Sequence, residues 1–206
     1  MQSITDKSLT RIQRKGRGFA FSGKDFLDLA PRTSIDKALS ALAKKGTIRR
    51  VCRGIYDYPR INQKLGGELS PDYDRVAQAI ARRNGVRIEA SGAWAANLLG
   101  LSTQVPAKIV YLTNGTSRSY KVGNQTVQFQ RVAPKELLAK KGPATLVVQA
   151  LSHLGKVHVD DGVIEHLRGR LPQKERQALL KDARYTTDWV YETIKEIARD
   201  GGSSHE

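Results

Sequence analysis

The chain has 206 residues with 35 Lys+Arg against 20 Asp+Glu, a formal charge of +15 and a pI near 10.1, so its chemistry favours a polyanionic partner over a neutral or basic one. A single cysteine, Cys52, excludes an intramolecular disulfide and every cysteine-based metal cluster, and fits a reducing compartment. No apolar run reaches the roughly 18 residues of a membrane span, and the first residues lack the apolar stretch of a secretion signal, so the expectation is a cytoplasmic protein without membrane contact.

The first 64 residues carry 15 basic and 5 acidic side chains, a net charge of +10, which leaves +5 for the remainder. Within them, Ile4, Ser8, Leu9 and Ile12 recur at helical spacing and predict a basic helix from Ser3 to Lys15, stopped by Gly16 and Gly18. Phe19-Ala20-Phe21 reads as a short strand. Ser22 followed by Asp25 is a capping signal for a helix from Gly23 to Leu29, which Pro31 ends. Thr33 with Asp36 marks the next helix start, and Ile35, Ala38, Leu39, Leu42 and Ala43 give that helix one apolar face before Gly46 closes it. Its other face carries Arg32, Thr33, Ser34, Lys37, Ser40, Ala41, Lys44 and Lys45. Small hydrogen-bonding groups there suit base edges, and lysines suit phosphate. Thr47 to Cys52 and Ile55 to Tyr58 then alternate as two strands joined near Arg53-Gly54, with Arg49, Arg50 and Arg53 crowding the hairpin. Strand, helix pair and basic hairpin in this order predict a winged helix-turn-helix DNA-binding domain over residues 1–60.

Pro59 to Pro71 lacks an apolar period and predicts an interdomain linker at 61–71. A second domain is expected over 72–200. It opens with a helix through Tyr73, Val76, Ala77 and Ile80 to Asn84, followed by a strand at Val86 to Ile88 and a small-residue helix from Ser91 to Leu99. Lys108 to Thr113, Ser119 to Val122 and Thr126 to Arg131 predict three strands in a meander, with Gly123-Asn124 at a tight turn. Helices follow at Thr145 to Leu154, Val163 to Arg168, Gln173 to Asp182 and Thr187 to Arg199, and the polar tail 201–206 is expected to be disordered. The predicted fold class is α+β: a winged helix-turn-helix domain, then a larger mixed domain with a small antiparallel sheet and C-terminal helices.

Two segments resemble a known family. Arg50-Val51-Cys52-Arg53-Gly54-Ile55-Tyr56-Asp57-Tyr58-Pro59 is similar to the pattern that closes the winged domain of AbiEi-type antitoxins of type IV, abortive-infection toxin–antitoxin systems. Ser91-Gly92-Ala93-Trp94-Ala95-Ala96-Asn97-Leu98-Leu99-Gly100-Leu101-Ser102-Thr103-Gln104-Val105-Pro106 resembles the helix and turn that open the second domain in one branch of that family. The similarity spans about residues 5–135. It implies a transcriptional repressor that binds double-stranded DNA at inverted repeats of its own promoter. It further implies a nucleotidyltransferase-like toxin as functional partner, without a requirement for direct contact. By the same resemblance Arg32, Thr33, Ser34, Lys37, Lys44, Arg49, Arg50 and Arg53 fall on DNA-reading positions.

The full set of expected DNA-binding residues is Arg32, Thr33, Ser34, Lys37, Ser40, Lys44, Lys45, Arg49, Arg50 and Arg53. Lys108, Arg118, Lys121 and Arg131 are a candidate extension of the footprint, or a site for an RNA or the toxin. His153, His158, Asp160, Asp161, Glu165 and His166 are the nearest approach to a catalytic or metal cluster, but they lack the spacing of a helix-borne His pair, and Asp160 reads better as a helix cap. No nucleophile elbow, phosphate loop or dinucleotide fingerprint occurs. The expectation is therefore a repressor and antitoxin, not an enzyme, with no cofactor, no metal and no catalytic residues. Trp94 and Trp189 are expected in the core. The alternative is a nucleic-acid-processing enzyme, or a subunit of one, that docks substrate on the basic domain.

Overall fold

The computed structural model describes residues 3–64, 66–133, 137, 143–184 and 186–199. These residues form a mixed α+β chain with eight α-helices and small antiparallel sheets. The chain divides into two units, Met1–Ile88 with Arg118–Gln128, and Glu89–Ser117 with Phe129–Glu206. The expected tail at 201–206 lies outside the described residues.

In the first unit α1, Ile4–Lys15, begins with a capping box: the Ser3 hydroxyl accepts the Asp6 N–H at 3.1 Å, and Asp6 accepts the Ser3 N–H at 3.3 Å. Strand β1, Ala20–Phe21, leads into a second box, in which Ser22 accepts from the Lys24 N–H and Asp25 accepts from the Ser22 N–H. The helix expected over 23–29 is only a turn of 3-10 helix, Gly23–Phe26. The Leu29 N–H bonds to the Phe26 carbonyl, three residues back, and the Asp25 carbonyl accepts from Arg11 at 3.1 Å.

Helix α2, Arg32–Lys44, starts one residue before the expected Thr33, with Pro31 as the capping position and no side-chain cap. Asp36 is not part of a cap; it pairs with Arg32. At the other end Gly46, at φ +71°, bonds back to Ala43 while Thr47 bonds to Leu42, the paired bonds of a Schellman stop. Strands β2, Arg49–Cys52, and β3, Ile55–Asp57, pair antiparallel, and the sheet order is β1-β3-β2. Ile12, Phe21, Phe26, Ile35, Leu39, Leu42 and Ile48 form the core beneath it.

The expected linker is instead a small hairpin, β4 at Ile61–Asn62 and β5 at Gly67–Glu68. Helix α3, Tyr73–Asn84, packs on β1 and β3, and Arg82 donates to the Ala20 carbonyl at 2.9 Å, so the first unit runs well past residue 60. Strand β6 lies at Ile88–Ala90, two residues beyond expectation, because Val86 is used to close α3 through its bond to Ala81.

The remaining strands are β7, Lys108–Thr113, β8, Arg118–Val122, and β9, Gln125–Arg131. Their order, β6-β7-β9-β8, is not a meander, since β9 lies between β7 and β8. Strand β8 contacts β2 in the first unit, where the Tyr120 hydroxyl accepts from Asn84 at 3.0 Å.

The second unit holds α4, Gly92–Leu98, α5, Pro143–Leu154, α6, Asp161–Arg170, α7, Gln173–Asp182, and α8, Asp188–Ala198. Trp94 is buried and donates to the Tyr111 hydroxyl at 2.7 Å, and Tyr111 meets Phe129 edge-on. Asn97 ties the turn that follows α4 by donating to the carbonyls of Ser102 and Gln104, each at 3.1 Å.

Candidate nucleic-acid interface

Burial of Ile35, Ala38, Leu39 and Leu42 fixes the rotation of α2. The opposite stripe, at steps of three and four, then presents Thr33, Lys37, Ser40 and Lys44 to solvent. These four side chains and the exposed Lys45 have no ion pair or side-chain hydrogen bond among the described residues. Asp36, Lys37, Ser40, Ala41 and Lys44 line a shallow open depression along the stripe. Ser34 is half-buried at its margin.

Arg32 is exposed but engaged: its Nε lies 2.9 Å from both oxygens of Asp36. An exposed pair four residues apart contributes only about 0.3–0.5 kcal/mol, so exchange of Asp36 for a phosphate costs little.

The hairpin divides its arginines. Arg50 and Arg53 are exposed and have no ion pair among the described residues. Gly54 makes the turn at φ +72°, and Arg83 of α3 donates to the Arg53 carbonyl at 2.5 Å, which ties the turn to the body of the unit. Arg49 has a different environment. It faces Asp57 across the β2–β3 register and grips it with two bonds, Nε to Oδ1 at 3.0 Å and Nη2 to Oδ2 at 2.6 Å. Its Nη1 also reaches Glu68 at 3.3 Å and the Leu69 carbonyl at 3.0 Å. The Asp57 hydrogen bonds push the guanidinium pKa upward against the opposing effect of burial. Among the expected DNA contacts, Arg49 is thus half-buried and engaged by Asp57, Glu68 and the Leu69 carbonyl.

Cys52 is half-buried in β2, and burial raises its thiol pKa against the opposing charges of Arg83 and Arg50. It therefore stays protonated near neutrality and is a poor nucleophile. Among the candidate-cluster histidine and carboxylate residues of the second unit, four have structural partners, while His153 and Asp161 are exposed. His166 bonds the Leu99 carbonyl at 2.9 Å, beside Arg170 on the Leu98 carbonyl, so both serve the C-terminal end of α4. Asp160 caps α6 through the Val163 N–H, Glu165 pairs with Arg168, and His158 bonds the Leu154 carbonyl. No group of three potential metal ligands occurs among the described residues. Trp189, expected in the core, is only half-buried on α8 and lines a groove with Glu192, Thr193 and Glu196.

Of the four basic residues suggested as a further footprint, Arg118 and Lys121 belong to the first unit and Lys108 and Arg131 to the second; all four are exposed. Sequence reasoning missed Asp57, Arg82 and Arg83. The first is a lone acid in an arginine-rich hairpin, and the other two are adjacent cations in the last turn of α3, a pattern that helix-end electrostatics alone would account for. No helix among the described residues is long and apolar enough to cross a membrane.

No curated protein matches the chain. The model of a family of unknown function, DUF6088, matches residues 7–179, and the chain belongs to that family.

Proposed function

We propose that the first unit is a winged helix-turn-helix in which α2 is the recognition helix and the β2–β3 hairpin the wing, and that the protein is a sequence-specific DNA-binding repressor. The observation that carries the reading is the unpartnered stripe of Thr33, Lys37, Ser40 and Lys44 on α2, followed in the chain by exposed Arg50 and Arg53 on a tethered hairpin. Within it Thr33 and Ser40 read base edges, while Lys37, Lys44, Lys45, Arg50 and Arg53 neutralise phosphates. Arg32 joins them by releasing Asp36, and Arg49 holds the hairpin in register without touching DNA. The net charge of +10 on the first 64 residues supports a polyanion on this side of the chain.

The operon setting rests on the resemblance of the Arg50–Pro59 and Ser91–Pro106 segments to AbiEi-type antitoxins. By that reading the DNA is the protein's own promoter, the functional partner is a nucleotidyltransferase-like toxin, and the site of action is the cytoplasm.

The test is fluorescence anisotropy on the DNA upstream of the gene and on a shuffled duplex of equal length, across a salt series. Tight binding to the first alone is expected. Lys37→Ala should reduce the salt slope by about one, and Ser40→Ala should cost roughly 1–3 kcal/mol of discrimination with the slope unchanged. Equal affinity for both duplexes overturns the repressor reading and favours a general nucleic-acid docking role.

A further inference from the structure

A second basic feature of the first unit shares no residue with the α2 stripe or the hairpin. The end of α1, the start of β1, the 3-10 turn and the last turn of α3 enclose a concavity of about 740 Å³. That volume lies within the range of small-molecule sites, roughly 300–1,000 Å³.

Arg11, Arg14 and Lys15 enter it from successive turns of one face of α1, and Arg82 enters from α3. Arg11 is held rigidly by Asp28 through two bonds of 2.7 and 2.6 Å, and Arg82 by the Ala20 carbonyl and Asp25. Among the described residues Asp25 is the one carboxylate lining the concavity, and its oxygens are already engaged by Ser22 and Arg82. Arg14 and Lys15 are exposed and have no ion pair among the described residues. With Arg11 paired to Asp28 and Arg82 to Asp25, the uncancelled charge of this cradle is that of Arg14 and Lys15, beside two guanidinium groups held in place.

The wall opposite in chemistry is aromatic. Phe19 is half-buried, with Phe21 stacked on it at a centroid distance of 5.3 Å, and Phe26 is buried beneath the Arg11 guanidinium. Cations at the end of α1 would by themselves only offset the helix dipole. A concave site with a partly open aromatic side chain does more, because it offers a planar ring an apolar surface within reach of the cradle.

We propose that this concavity binds a free mononucleotide, with its phosphate on Arg14 and Lys15 and its base against Phe19. The proposal does not depend on the DNA-binding reading, and its test is separate from it.

The experiment is titration of the full chain into N-methylanthraniloyl-AMP at 0.15 M salt, with competition by AMP, adenosine, inorganic phosphate and a short duplex with or without a 5′-phosphate. Saturable binding with Kd below about 1 mM is expected, with adenosine and phosphate each competing at least tenfold more weakly than AMP. Arg14→Gln,Lys15→Gln should weaken binding by at least tenfold and Phe19→Leu by about threefold or more, whereas Lys37→Ala,Lys44→Ala should leave it unchanged. Thermal melts of each variant identify any that fail to fold; Arg14 and Lys15, being exposed, keep the pair substitution readable. Absence of saturable binding overturns the site. So does equal loss in the α2 variant, or phosphate competing as well as AMP. Displacement by the 5′-phosphorylated duplex at lower concentration than AMP overturns the free-nucleotide assignment in favour of a strand end.

Discussion

Replacing Arg49 by alanine distinguishes a scaffold residue from a DNA contact. The Asp57 side chain is 3% exposed and that of Arg49 26% exposed, so the pair lies at the edge of the protein interior. Arg49→Ala strands a buried carboxylate, and breaking a buried pair from one side costs about 3–5 kcal/mol. Asp57→Asn leaves the guanidinium its bond to the Leu69 carbonyl and its contact with Glu68, so its cost should be smaller, about 1–3 kcal/mol. Against a total stability of roughly 5–15 kcal/mol, the first change removes a large fraction. Urea unfolding followed by circular dichroism reads this as a midpoint shift of about 1–3 M with little change in slope. The double change Arg49→Leu,Asp57→Leu should recover most of the loss, because no charge is then left buried without its partner. The reasoning is refuted if Arg49→Ala costs under about 1 kcal/mol while reducing DNA affinity as much as Arg50→Ala does.

Four further outcomes are expected. Gly46→Ala meets no atom within 4 Å but must hold φ near +71°, so it should destabilise by about 1–2 kcal/mol in a thermal melt, with Gly46→Asn costing less. The Ser8 hydroxyl is fully buried and has no hydrogen-bond partner among the described residues, so Ser8→Ala should be neutral or stabilising by up to about 1 kcal/mol. Arg83→Ala frees the Arg53 carbonyl, and amide exchange at Arg53 to Ile55 should accelerate while the global melting temperature changes little. The Asp28 pKa is lowered mainly by its hydrogen bonds from Arg11, so the stabilisation from this pair is present above the unfolded carboxylate pKa and is lost as pH falls through the lower folded value. Asp28→Asn should flatten that acid limb in pH-dependent melts, and added salt should diminish the difference.

Local signals in the sequence hold where the residues that respond are neighbours. The Ser22–Asp25 box forms as its spacing requires, and Gly46 stops α2 where the apolar period ends. The errors arise where a distant group competes. The same capping box predicts a helix to Leu29 but starts only one turn, and the Asp25 carbonyl there accepts from Arg11, 14 residues earlier. Thr33 and Asp36 have the spacing of a cap, yet Pro31 occupies that position and Asp36 pairs with Arg32. Arg49 reads as one more surface cation until the strand register sets it opposite Asp57. The α2 stripe was the more legible part of the site because helical period alone determines which side chains face away from Ile35, Leu39 and Leu42.

The membership of β8 in the first unit bears on how the chain can be divided. Residues Glu89–Ser117 leave the unit and Arg118–Gln128 return to it, so the backbone passes between units at three points. A fragment ending at Ile88 lacks the strand beside β2 and the Tyr120 partner of Asn84, although it retains α1, α2 and the hairpin. The β2–β8 contact closes a loop across this excursion and adds non-local contacts to the first unit. Completion of the first unit is therefore tied to synthesis of sequence beyond Ile88. A nick or insertion in the excursion would alter that unit without changing one of its residues. No single cut in the chain separates the two units.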